Sequence, residues 1–373
     1  LNIGGQLLVL NTANGQFDGP VSAGQLKLRH GTFSTIALNG GASFTGVSAL
    51  EDGTLTGDGH VVFEGEVDWW RATMNGAGKT TIAENGLLRM TFGSIRTLGR
   101  TLEINGSTEW TVGTLALDAG RIENHGEFRT SAKSMLDLGG AGGAGGEFLN
   151  FGELLKEGGG SLRFGASGGP VSLENFGMVD VRDGALQLLG AASTTNNGTY
   201  AVSRGASIEV VGDFVNAPGA TLRFEVGGYK FNDPAGLLTI TGDAALAGAL
   251  VVTAPKPELA AWGDRWTIMQ FASLSSGFDT FDLPETSDET LRWYAQADSD
   301  SYEVGVSHIA DIDHDDLIGF SDLNRIASNF NTFGAWADGD VDGDGFIGFA
   351  DLNIVLSLFN TAAPPRSVPA PGA

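Results

Sequence analysis

Residues 311–322 read DIDHDDLIGFSD and residues 340–351 read DVDGDGFIGFAD, two versions of one twelve-residue pattern starting 29 residues apart. Each has Asp at positions 1, 3, 5 and 12: Asp311, Asp313, Asp315 and Asp322, then Asp340, Asp342, Asp344 and Asp351. Carboxylates at that spacing wrap a hard cation in oxygen, and the carbonyl of position 7, Leu317 or Phe346, adds a ligand. Position 9 is Gly319 or Gly348, so a water fills that coordination place. Ile318 and Ile347 at position 8 face a small core, and each loop runs into an amphipathic helix, LNRIASNF or LNIVLSLF. A solvated acidic stretch is the plain alternative. It does not account for a register kept twice, so two Ca2+ sites are expected. Position 6 ranks them, because it needs a left-handed backbone. Gly345 adopts that freely, whereas Asp316 does so at a cost of roughly 1–2 kcal/mol. The 340–351 loop is expected to bind more tightly.

Asp rather than Glu at position 12, and one helix after each loop, separate this pair from the common helix–loop–helix hand. Over residues 309–360 it resembles a type I dockerin, a duplicated calcium loop–helix module. The resemblance implies a small α-helical domain that docks its host onto cohesin domains of a larger extracellular assembly. Two features depart from the family: Asp316 replaces Gly at position 6, and Phe320-Ser321 and Phe349-Ala350 occupy the recognition positions 10 and 11. Phe there is unlike cellulosomal dockerins.

The preceding chain reads as the body that carries these loops. Apolar pairs recur at Leu102/Ile104, Leu115/Leu117, Leu136/Leu138, Leu162/Phe164, Leu186/Leu188, Ile208/Val210 and Leu222/Phe224, with polar residues between them. That is period-two patterning, a strand with one face buried. Asn124, Asn150, Asn175, Asn196 and Asn216 form a second series, locked in phase with the first. A unit of roughly 20–26 residues cannot bury its apolar face alone, but stacked units can. The expected fold is a right-handed parallel β-helix over residues 1–255, of roughly eleven coils, with the Asn residues at equivalent corners satisfying backbone groups. Gly is 57 of 373 residues without a Gly-X-Y period, which suits corners and excludes collagen. Within 50–110, Trp69-Trp70 followed by MNGAG at 74–78 resembles passenger segments of bacterial surface proteins, which implies an adhesin-like or structural role.

Residues 256–308 break the repeat. Trp262, Trp266, Trp293 and Tyr294 read as a β-rich cap closing the solenoid edge, with an aromatic sugar platform as the alternative. Two glycine-bearing stretches, NGAGKTT at 75–81 and the run 139–146, imitate nucleotide or calcium motifs, lack their remaining residues, and are expected at coil corners. The Pro-rich tail, 361–373, contains VPAP at 368–371, which resembles the Val-Pro-Glu-Pro signal read by exosortases.

Lys and Arg number 21 against 45 Asp and Glu, a net charge of −24, which repels nucleic acid and anionic membranes and favours divalent cations. No apolar run is long enough to span a bilayer. There is no Cys, hence no disulfide, thiolate site or thiol nucleophile. In the solenoid the acids, such as Asp52, Glu66 and Glu123, form no repeated column, and His30, His60 and His125 show no partner pattern. The chain is therefore expected not to be an enzyme, with a polysaccharide-active β-helix as an alternative. The main expectation is a secreted, extracellular or cell-surface bacterial protein: an adhesive or structural rod with a calcium-dependent module at 309–360 for a cohesin-like or self partner. A polysaccharide or cell surface is a further candidate ligand. A filament subunit, joined into a homopolymer through solenoid ends or that module, is the other alternative; Leu1 begins inside the repeat, as in a processed chain or fragment.

Overall fold

A four-residue strand with alternating apolar side chains is stable only when neighbours cover one face and pair both edges. The computed structural model, which describes residues 2–10, 14–29, 34–141, 143–166, 168–227 and 234–364, meets both needs by winding. Each turn supplies three short strands, and each strand pairs in parallel with its counterpart one turn on. Thr114–Leu117, Gly120–Asn124 and Glu127–Thr130 make one turn; Leu136–Gly140, Gly146–Asn150 and Glu153–Lys156 make the next. Leu115 lies on Leu138, Ile122 on Phe148 and Phe128 on Leu154. Strands make up 52% of the chain and helices 7%, so the architecture is mainly β, with a β-solenoid of about nine turns.

Nine turns is fewer than the eleven expected. Paired turns step unevenly, by 19 residues from Thr54 to Thr73 and by 30 from Ile208 to Leu238. The apolar pairs also sort onto different faces. Leu136, Leu162, Leu186 and Ile208 form one column, whereas Leu222 pairs with Tyr200 and Ile104 with Asn124 on other faces. All are strand positions facing inward, so periodicity alone could not separate them. The NGAGKTT stretch lies at a corner as expected, but one that the strand Thr73–Ile82 runs through unbroken: Thr73 and Met74 pair with Thr54 and Leu55 on one face, and Thr80 and Thr81 with Val61 and Val62 on the next. Register slips between Asn75 and Lys79 there, and Gly78 packs so closely on the turn before that a Cβ would meet the Gly59 carbonyl oxygen.

The interior stacks aromatic on aromatic. Phe128 meets Trp110, Phe148 meets Phe128, and Phe164 meets Phe148 at ring separations of 6.3, 5.1 and 5.6 Å. The Asn series forms one buried ladder. Nδ2 of Asn124, Asn150, Asn175 and Asn196 donates to Oδ1 of the next Asn at 2.7, 2.8, 2.9 and 2.8 Å. Each also donates to a backbone carbonyl one turn on, such as Thr199 O from Asn175 at 3.0 Å.

Three buried cations cap carbonyls that the corners leave without N–H partners. Arg96 serves Trp69, Phe92 and Val112; Arg100 serves Gly59 and Gly78; Lys156 serves Glu157, Gly158 and Asp183. Burial lowers the Lys156 ammonium from 10.5 to about 8, against the opposing pull of Asp183. The folded chain therefore sheds this proton before the unfolded chain does, and stability from this group rises with pH between those two values. Wild type is expected to gain on Lys156→Met across that window in paired thermal melts. Parallel pH curves for the two proteins would contradict it.

Contacts divide the chain into two units. One comprises Leu1–Phe224, Gly236–Leu250 and Gln270–Thr280, and the other Glu225–Ala235, Val251–Met269 and Phe281–Ala373. The stretch read as a cap thus contributes 270–280 to the solenoid unit, while the rest of it clusters with the acidic loops. In the second unit Leu291–Ala297 and Ser301–His308 form an antiparallel hairpin. Two nine-residue helices follow, α1 (Phe320–Ser328) and α2 (Phe349–Ser357). The halves interlock reciprocally: Asn331 N–H donates to Ile347 O, and Asn360 N–H donates to Ile318 O, both at 2.8 Å. Ile318 and Ile347 are buried with Ile326, Val355 and Trp262. Among the described residues no helix is long and apolar enough to cross a membrane. The VPAP tail motif and His30 lie outside the described residues.

Candidate functional site

Each acidic loop is folded by its own carboxylates. Asp322 and Asp351 stand in the first turns of α1 and α2, where the helix N-terminus favours negative charge. Asp322 accepts from the N–H of Ile312 at 2.6 Å and of Gly319 at 2.7 Å; Asp351 accepts from Val341 at 2.7 Å and Gly348 at 2.8 Å. The position-12 side chain thus ties the start of the loop to the start of the helix. Positions 4 and 6 are left-handed in both loops. They are Gly343 and Gly345 in the second, at φ 76° and 86°, but His314 and Asp316 in the first, at φ 63° and 68°.

Three carboxylates converge in each loop. Oxygens of Asp311, Asp313 and Asp315 lie within 4.8 Å of one another, as do those of Asp340, Asp342 and Asp351. Asp322 and Asp344 fall outside these two groups. Asp322 spends both oxygens on backbone N–H groups, and Asp344 Oδ1 accepts from Phe346 N–H at 2.8 Å. Burial pushes the carboxyls of Asp315, Asp322 and Asp342 above the usual range, and acidic neighbours add to it. Asp313 Oδ1 is buried without a hydrogen-bond partner. A carboxylate oxygen in that position is costly until something positive meets it. An all-oxygen donor set with clustered charge fits a hard divalent cation.

Nothing in the sequence connects the loops to residues far upstream. Trp262 Nε1 and Ser307 Oγ both donate to Asp311 Oδ2 at 2.8 Å. Trp262, expected in a cap or sugar platform, is 8% exposed and belongs to the core beneath the loops. The solenoid also holds a group that looked scattered in sequence. Glu103 and Glu123 are in register on successive turns, and His125 joins them within 4.8 Å. Their signal was the 20-residue step from Glu103 to Glu123, visible once only. Both carboxylates already hold cations, Lys79 at 2.9 Å and Arg121 at 2.7 Å. His60, likewise read as partnerless, bonds Thr81 Oγ1 at 2.7 Å. No family model matches the chain, and comparison with curated proteins and with solved structures finds no match either.

Proposed function

We propose that the chain is a secreted bacterial surface or matrix protein, a solenoid rod that carries a calcium-dependent docking module of the dockerin kind over residues 309–360. The observation that carries this reading is the convergence of three Asp carboxylates in both copies of the duplicated loop. Asp313, with its unpartnered oxygen, adds the need for a positive charge. Asp311, Asp313, Asp315 and Asp322 would hold one Ca2+ and Asp340, Asp342, Asp344 and Asp351 the other, with the Leu317 and Phe346 carbonyls. Bound Ca2+ supplies the charge that lets these side chains pack together.

The face for a partner is aromatic. Phe320 and Phe349, at position 10 of each loop, are 75% and 72% exposed. Each leans edge-on against a ring from the other half, Phe359 at 4.9 Å and Phe330 at 5.0 Å. Large apolar rings left in water at matched places favour a protein partner over a solvated face. That partner is a cohesin-like domain or a second copy of the chain, and the solenoid serves as its spacer.

Calorimetry of the full chain against CaCl2 is expected to give two ions bound per chain. Light scattering with and without calcium reads the partner class: a calcium-driven rise in mass selects the second copy, and unchanged mass selects a different protein. A folded chain that takes up no calcium at millimolar concentration overturns the reading.

A further inference from the structure

The two loops share a sequence pattern, yet the structure orients their first carboxylates by different means. Asp340 is held from within: Oδ1 accepts from Gly343 N–H and Oδ2 from Gly345 N–H, both at 3.0 Å. Asp311 accepts one loop N–H on Oδ1, from Asp315 at 3.2 Å, while Oδ2 takes its two donors from Trp262 and Ser307. Asp311 is fully buried, so those two donors replace water as the solvation of that oxygen. The two left-handed residues of this loop are braced from outside as well. The His314 ring stacks on Tyr294 at 4.0 Å and 8°, and Arg265 donates to His314 O and pairs with Asp316 at 3.0 Å.

We infer that Trp262 and Ser307 are positioning residues of the 311–322 cation site, which is completed by chain outside the loop, whereas the 340–351 site is self-contained. This rests on the calcium reading of the loops. Donors behind a ligand fix its orientation and lower the cost of keeping it ionised and ready. Removing such partners typically weakens a metal roughly 10- to 100-fold. The segments around Trp262 and the hairpin Leu291–Ala297/Ser301–His308 therefore belong to the calcium unit.

The test uses full-length protein and CaCl2 in calorimetry. Asp340→Ala isolates the 311–322 site, and Asp311→Ala isolates the 340–351 site. Trp262→Phe, which deletes the N–H and keeps an aromatic ring, is expected to weaken calcium about tenfold in the first background and to leave the second within twofold. Ser307→Ala should act in the same direction, and Ser307→Thr, which keeps the hydroxyl, should restore binding; this pair carries the test if Trp262→Phe fails to fold. Equal losses in both backgrounds, or no loss in either, overturn the inference while the calcium reading stands. No calcium uptake in either background, with the wild type also blank, overturns the reading beneath it.

Discussion

Stripping calcium with a chelator is expected to melt the chain from 309 to 360 and to leave the solenoid folded. Eight Asp crowd two short loops, and in each loop carboxylate oxygens of three of them lie within 4.8 Å of one another, a repulsion that a bound cation would offset. Small cores of this size hold roughly 3–5 kcal/mol of stability. At a calcium concentration about 1,000 times the dissociation constant, each site adds roughly 4 kcal/mol, so two ions contribute more than the core itself. Hydrogen exchange resolved along the chain measures this directly. Protection of α1 and α2 should collapse in chelator while the ladder strands near Asn150 and Asn175 keep theirs. Helices indifferent to chelator would end the calcium-dependent reading.

The two sites should differ. Left-handed positions 4 and 6 cost roughly 1–2 kcal/mol at a non-glycine residue, and the first loop has His314 and Asp316 there where the second has Gly343 and Gly345. Arg265 beside Asp316 also cancels part of the charge that attracts a cation. The 340–351 loop is accordingly expected to bind more tightly, and Asp340→Ala to lose more calcium-linked stability than Asp311→Ala. In chelator the order should reverse, because Asp311→Ala orphans the buried N–H of Trp262, while Ser307 keeps the Asp311 carbonyl, and Asp340→Ala orphans no donor outside its own loop.

What was legible in the sequence is what repeats or what chemistry holds to a spacing. The Asp residues stand out because positions 1, 3, 5 and 12 repeat within twelve residues, twice. The Asn series stands out because five successive turns place it at the same corner. Trp262 was not legible as a partner of Asp311, 49 residues away, since nothing local links an indole to a carboxylate at that distance. Glu103, Glu123 and His125 escaped for a related reason: they meet on two turns only, so no period announces them. The faces of the solenoid were blurred because an inward strand residue looks the same on all three. Thus Leu222 entered the same series as Leu186, although the two belong to different columns.

Asn175→Ala is expected to be the most damaging single change in the solenoid. Asn175 sits in mid-ladder and is fully buried. Its Oδ1 accepts from Asn150 at 2.8 Å, and its Nδ2 donates to Asn196 Oδ1 at 2.9 Å and to Thr199 O at 3.0 Å. Truncation therefore removes these three buried hydrogen bonds, although Asn150 Nδ2 keeps Gly152 O and Met178 O and Asn196 Oδ1 keeps the Gly198 N–H. Each lost bond costs about 0.5–1.5 kcal/mol and the small gap adds to it, so a net loss of roughly 2–4 kcal/mol is expected. Asn175→Asp should fare no better: it keeps the acceptor, cannot donate to Asn196, and buries a charge. Asn124→Ala provides the contrast. Asn124 begins the ladder, its Oδ1 has no partner, and its loss strands only Asn150 Oδ1 and the Glu153 carbonyl. Because each turn contacts only its neighbours, the loss should register as a lower unfolding midpoint of the adjoining turns before the distant ones. Denaturant unfolding in saturating calcium, followed by the β signal in circular dichroism and by exchange at Asn150 and Asn196, reads both quantities. A cost below about 1 kcal/mol for Asn175→Ala, or one no larger than for Asn124→Ala, would mean that the ladder aligns the corners without stabilising them.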